Sequence, residues 1–204
     1  MAGKLRRTVQ QNSRILVLGA AQTFFECSMY TFVLLYTPVI ENAVADKYGA
    51  DNELPLGYLF STLMFAVMLG SLAFQTVDRQ TASPASIKFV QHLTKDRLLA
   101  VALGLASVAF AIMAYYERSS LSLLILAYHI FEFTTGLYYP SISSLKAEAI
   151  PEESRAAVMT LLRIPMNLGV GVIMWHVDDL STSMMFAICA VMAMFGCSLV
   201  TSKY

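Results

Sequence analysis

Two glutamates and one arginine stand deep inside long apolar stretches of this sequence, where an ionised side chain is costly. Glu26 interrupts run 15–40, Glu132 interrupts run 119–145 and Arg163 interrupts run 156–177; only His129 and His176 join them as groups that titrate near neutral pH. A charge at the centre of a bilayer costs about 2.5–3.5 kcal/mol even on insertion scales, so such residues turn toward a partner, a cavity or water. Residues three and four positions away share a helix face with them. Around Glu26 these are Gln22 and Tyr30, around Glu132 they are Tyr128, His129, Thr135 and Gly136, and around Arg163 they are Thr160 and Asn167. Two chemistries fit three polar strips of this kind. One is a structural ion cluster in which glutamate neutralises Arg163. The other is a solute-binding site on a wet crevice.

The elements that must carry these strips follow from the spacing of charge. The chain has 204 residues, 57% of them hydrophobic and only 14% charged, with no net charge and a mean hydropathy of +0.60. Soluble domains carry roughly 25% charged residues, so the solvent here is lipid. Neutrality also excludes the basic surplus of a nucleic-acid binder. Six runs of 19 or more residues can each span a bilayer as a helix: 15–40, 54–77, 98–116, 119–145, 156–177 and 180–202. Backbone groups in hydrocarbon must pair within their own segment, and the ten-residue alternating stretches of a barrel are absent. The fold class is therefore an all-α membrane protein, with a basic segment at 1–14 followed by a six-helix transmembrane domain at 15–204.

Lysine and arginine set the orientation. Eleven of them, among them Lys4, Arg6, Arg7, Lys88, Lys146 and Lys203, fall on one side, against Lys47 and Arg118 on the other. Both termini are expected in the cytoplasm. The acidic segment with Glu41, Asp46, Asp51 and Glu53 is expected as a solvated hairpin outside, and the segment 78–96 with Ser83 and Pro84 as a cytoplasmic loop. Cys27, Cys189 and Cys197 are too few and too scattered for a disulfide framework or a metal site, and no nucleophile–base pair points to an enzyme or a cofactor. Pro165, Gly169 and Gly171 predict a kinked or loosened fifth helix. Gly57 with Ser61, and Ala187, Ala190 and Ala193, predict faces for close helix packing.

An internal echo adds organisation. Phe25-Glu26 is answered by Phe131-Glu132, and Tyr36-Thr37-Pro38 by Tyr138-Tyr139-Pro140. Two inverted groups of three helices would place the glutamates on the leading helix of each group, a plan common among transporters.

The segments from Phe25 through Pro38, Pro55-Leu56-Gly57, Phe131 through Ser141, Ile150 through Arg155 and Arg163 through Asn167, in that order, resemble the carboxy-terminal half of the eukaryotic molybdate-anion transporters of the major facilitator superfamily. The resemblance implies one six-helix half of a twelve-helix fold, import of molybdate or a similar oxyanion by alternating access, and a plasma-membrane location. It also implies that the first and fourth helices line the cavity. For a tetrahedral dianion, Arg163 with its planar fork of donors is the natural anchor. Tyr30, Tyr139, Asn167 and Thr160 would add donors, and Glu26 and Glu132 would admit the anion with a proton. Two alternatives stand beside this reading: a truncated chain without transport of its own, and a half-size protein that pairs with a second six-helix half or a second copy.

Overall fold

The computed structural model describes residues 13–49, 54–81 and 92–203. Lys4, Arg6, Arg7, Asp51, Glu53, Ser83, Pro84 and Lys88 lie outside them. The described residues form six long apolar helices and no strand: α1 (Ser13–Tyr48), α2 (Leu56–Thr81), α3 (Lys95–Tyr116), α4 (Leu121–Ala149), α5 (Arg155–Trp175) and α6 (Thr182–Lys203), with one 3-10 turn at Glu152–Ser154 before α5. All six are long and apolar enough to cross a membrane.

The first helix runs beyond the apolar stretch that predicts it. Glu41 through Tyr48, expected as the start of a solvated hairpin, continue the helix because nothing in them breaks it. The stop is Gly49, which takes the left-handed backbone (φ 95°) while its N–H donates to the Ala45 carbonyl at 2.9 Å, as a helix C-terminus requires. At 36 residues, α1 is about 54 Å long, well over the ~30 Å hydrocarbon layer. Its charged last turns, Glu41 through Tyr48, extend beyond the apolar run.

Packing follows the echo in the sequence. The packed pairs are α1 with α4, α5 and α6, α4 with α2 and α3, and α3 with α6. Exchanging α1 with α4, α2 with α5 and α3 with α6 leaves this set unchanged. Because each group holds an odd number of spans, the exchange reverses direction through the membrane, which is the geometry of an inverted repeat. The core lies between α1, α3, α4 and α6. Phe131 is its hub, with ring centroids 4.6 Å from Phe110, 4.7 Å from Phe32 and 5.9 Å from Phe25. By contrast α2 buries one stripe (Leu59, Leu63, Ala66, Gly70, Phe74) and α5 a shorter one (Val158, Leu162, Met166).

The backbones of α2 and α4 approach closely at Gly70 and Gly136, not at Gly57. A Cβ on Gly57 would meet nothing, and Ser61 is exposed with its hydroxyl turned back to the Gly57 carbonyl. Gly70 and Gly136 are the residues that need to be small: a Cβ on Gly70 would run into the Phe133 carbonyl oxygen, and one on Gly136 into the Val67 carbonyl oxygen. Pro140 contributes to the same joint. Lacking an N–H, it leaves the Gly136 carbonyl without its helical donor, and Ser71 of α2 donates to that carbonyl at 3.1 Å. Ala190 and Ala193 are buried as expected of a packing face, whereas Ala187 is exposed. The fifth helix runs on unbroken through Pro165.

Candidate functional site

The polar side chains of α1 and α4 meet along one seam. On α1, Gln22, Glu26 and Tyr30 repeat every four residues; on α4, Glu132, Tyr139 and Lys146 repeat every seven, and both spacings keep a helix face. Tyr138, fully buried and stacked on Phe25 with centroids 3.8 Å apart, donates its hydroxyl to Glu26 Oε1 at 3.4 Å. Tyr139 is 41% exposed and donates to Met29 Sδ at 3.1 Å. Tyr30, 43% exposed, stands on the same open side.

Further along the seam, Lys146 Nζ donates to Gln22 Oε1. The charge count assigns Lys146 to a cytoplasmic loop. It is instead helical and only 4% exposed, because α4 continues past the apolar run to Ala149 and is capped there by the Ile150 N–H on the Lys146 carbonyl. The signal was present in the sequence as the fourteen-residue spacing from Glu132, two heptads along one face.

Arg163 reaches this region from α5. A small cluster of Ile15, Ile150, Val158 and Leu162 pins the start of α5 and the end of α4 to the start of α1. Leu162 fills the space beside Gly19, one turn before Gln22, while Arg155 donates to the Ala147 carbonyl at 3.3 Å. Next to Leu162, Arg163 lies within electrostatic range of Lys146, as does Glu26. Thr160, Arg163 and Asn167 form an exposed stripe on α5, with the Thr160 hydroxyl donated to Ala156 O.

The structural ion cluster, one of the two chemistries these charges allow, is not seen among the described residues. Ion pairs among the described residues are Lys95–Glu148, Arg118–Glu117 and His176–Asp179, all at helix ends. Arg163 pairs with neither glutamate. Glu132 is 8% exposed, one turn from His129, whose Nε2 is 3.1 Å from Thr62 Oγ1, and lies within electrostatic range of Tyr139, as do Glu26 and Tyr30. The structure thus gathers Gln22, Glu26, Tyr138, Tyr139, Lys146 and Arg163 along one side of α1, with Glu132 within electrostatic range of Tyr139.

A separate polar cavity of about 310 Å³ opens at the opposite end of the bundle, lined by Asn42, Asp46, Glu117, Arg118 and Thr182. Burial pushes the Glu117 carboxyl above its ordinary value, against the pull of Arg118. No group of three or more metal-ligating side chains occurs among the described residues.

A six-helix membrane bundle with inverted-repeat packing and a polar seam between its leading helices is the architecture of a transporter unit. The comparisons place it more narrowly. Residues 3–130 match the model of a family described as sugar transporters with twelve transmembrane spans. The chain is 34% identical over 169 residues to a molybdate-anion transporter of Danio rerio, covering 79% of this chain and 31% of that one. It is 30% identical over 204 residues to a molybdate-anion transporter of Xenopus laevis, covering 97% of this chain and 42% of that one. The chain belongs to this transporter family, the part of the major facilitator superfamily in which its curated relatives are molybdate-anion transporters. It spans about 31–42% of the length of those relatives. No solved structure matches it.

Proposed function

We propose that this chain forms one six-helix unit of a transporter for molybdate or a similar tetrahedral oxyanion, working by alternating access with a second six-helix unit against its open α1–α4–α5 side. Correspondence to the carboxy-terminal half of its relatives, both termini in the cytoplasm, and the plasma membrane belong to the same reading. The observation that carries it is Arg163: a guanidinium within a span, exposed on the open side of the bundle, with no ion pair among the described residues. An uncompensated charge at that depth calls for an anion, and a fork of N–H donors suits tetrahedral oxygens. Tyr30, Tyr139, Asn167 and Thr160 line the same open side as further polar contacts.

Glu26 bears on the coupling. An ionised carboxylate beside the site repels a dianion, so the anion enters at lower cost with a proton on Glu26, and Glu132, within electrostatic range of Tyr139, is a second proton station. Molybdate accumulation in cells expressing the chain, measured at several external pH values, tests both levels. Uptake above that of control cells and rising as external pH falls is expected. Uptake independent of pH removes the proton; no accumulation above control removes independent transport by this chain.

A further inference from the structure

Lys146 is a charge that the proposed function does not use, and its surroundings are unusual. A lysine is almost never fully buried without a paired acid. Lys146 is 4% exposed, and its ammonium donates to the neutral amide oxygen of Gln22 rather than to a carboxylate. The charged groups around it are Glu26, which attracts it, and Arg163, which repels it. Two cations, from α4 and α5, thus lie within electrostatic range of each other, neither in an ion pair among the described residues, while the one carboxylate near Lys146 accepts from Tyr138.

Bringing two like charges together in a medium of low dielectric is unfavourable unless something of opposite sign offsets both. With the proton that the proposed function puts on Glu26, a singly charged anion would leave one of them uncompensated. A dianion matches the pair. We propose that Lys146 is the second cationic arm of the anion site: its ammonium rests on Gln22 and transfers to an oxygen of a tetrahedral dianion held by the Arg163 guanidinium, so that the pair selects for double charge. The rotatable ammonium and the flexible four-carbon stem allow this exchange of one acceptor for another, which a rigid guanidinium would not. Gln22 is then a positioning residue, offering an acceptor without neutralising the charge. This inference rests on the oxyanion reading above and adds the element that sets charge selectivity.

The test compares two tetrahedral oxyanions, molybdate with two charges and perrhenate with one. The full chain in lipid nanodiscs is dialysed to equilibrium against both, and bound molybdenum and rhenium are read by elemental mass spectrometry. The parent chain is expected to prefer molybdate. Lys146→Met should lower molybdate affinity about tenfold or more, the size of one charge-assisted contact, and change perrhenate affinity by less than about threefold; Lys146→Arg should keep most of the preference. Gln22→Glu supplies a second route that retains the hydrogen bond and the packing, because a carboxylate there neutralises Lys146 in place, and it should erase the preference as well. Lys146 has no such role if both Lys146→Met and Gln22→Glu keep the parent molybdate-to-perrhenate ratio, whether the two affinities stay put or fall together. If Arg163→Ala abolishes binding while those two variants keep that ratio, the oxyanion reading survives and the second arm does not. If the parent chain binds neither anion, both are overturned.

Discussion

Gly136→Val should leave little folded protein in lipid or detergent, while Gly57→Val and Gly171→Val should behave as the parent chain. Inside a bilayer the tails are as apolar as the side chains, so helices associate through close packing and hydrogen bonds rather than through expulsion of water. At the α2–α4 joint the contact is backbone to backbone. Any Cβ on Gly136 overlaps the Val67 carbonyl oxygen, with the Ser71 amide also in its way, and neither can rotate aside. Valine adds two methyl groups to that overlap. Overpacking that side chains can relieve costs about 1–3 kcal/mol; here α2 must move bodily, losing the Ser71 bond to the carbonyl that Pro140 leaves open. A cost above about 3 kcal/mol is expected, a large part of the 5–15 kcal/mol that holds a typical domain. Size-exclusion profiles and thermal unfolding of detergent-solubilised variants measure it. Open space at Gly57 and Gly171 makes those two substitutions the matched controls.

Arg163→Ala should reduce molybdate binding by about one to two orders of magnitude, the value of a charge-assisted pair of hydrogen bonds in a poorly screened site. Stability should change little, because Arg163 is exposed and packs no core, in contrast to its neighbour Leu162. Arg163→Lys should fall between the two, retaining the charge and losing the planar fork. Equilibrium dialysis against molybdate, alongside the unfolding profile of each variant, separates lost affinity from lost fold. An unchanged affinity in Arg163→Ala would strip the residue of its assigned role.

The class of protein was legible because hydrocarbon imposes a blunt requirement: long uncharged runs, each closed on its own hydrogen bonds. The pairing symmetry was legible too, since Phe25-Glu26 and Phe131-Glu132 mark equivalent places on α1 and α4, and the exchange of those helices maps the packing onto itself. Helix ends were less visible. Hydropathy falls at Glu41, but helix geometry has no reason to end until a residue such as Gly49 can take a left-handed turn. Lys146 was misplaced for the same reason: charge near the end of an apolar run reads as loop, although two further heptad positions keep it on the face of Glu132. Gly57 looked like a packing glycine and Gly70 did not stand out, because smallness alone does not say which face of a helix meets a neighbour. The candidate site was legible as residues and not as partners. Arg163 pairs with neither glutamate and Lys146 takes the Gln22 amide, and no spacing along a single helix predicts which side chain of another helix it will meet.

Whether the side of the bundle bearing Tyr30, Tyr139, Arg163 and Asn167 meets water or acyl chains decides the account. Single cysteines at these four positions, in a chain with Cys27, Cys189 and Cys197 replaced by alanine, can be challenged in membranes with a water-soluble, membrane-impermeant thiol reagent. Leu126 and Val191, exposed on other faces of the bundle, serve as the lipid reference. Modification at all four positions, slowed by molybdate and absent at Leu126 and Val191, is the expected result. Cysteines at the four positions as inert as those at Leu126 and Val191 would mean that this face lies in lipid and that no oxyanion pathway runs along it.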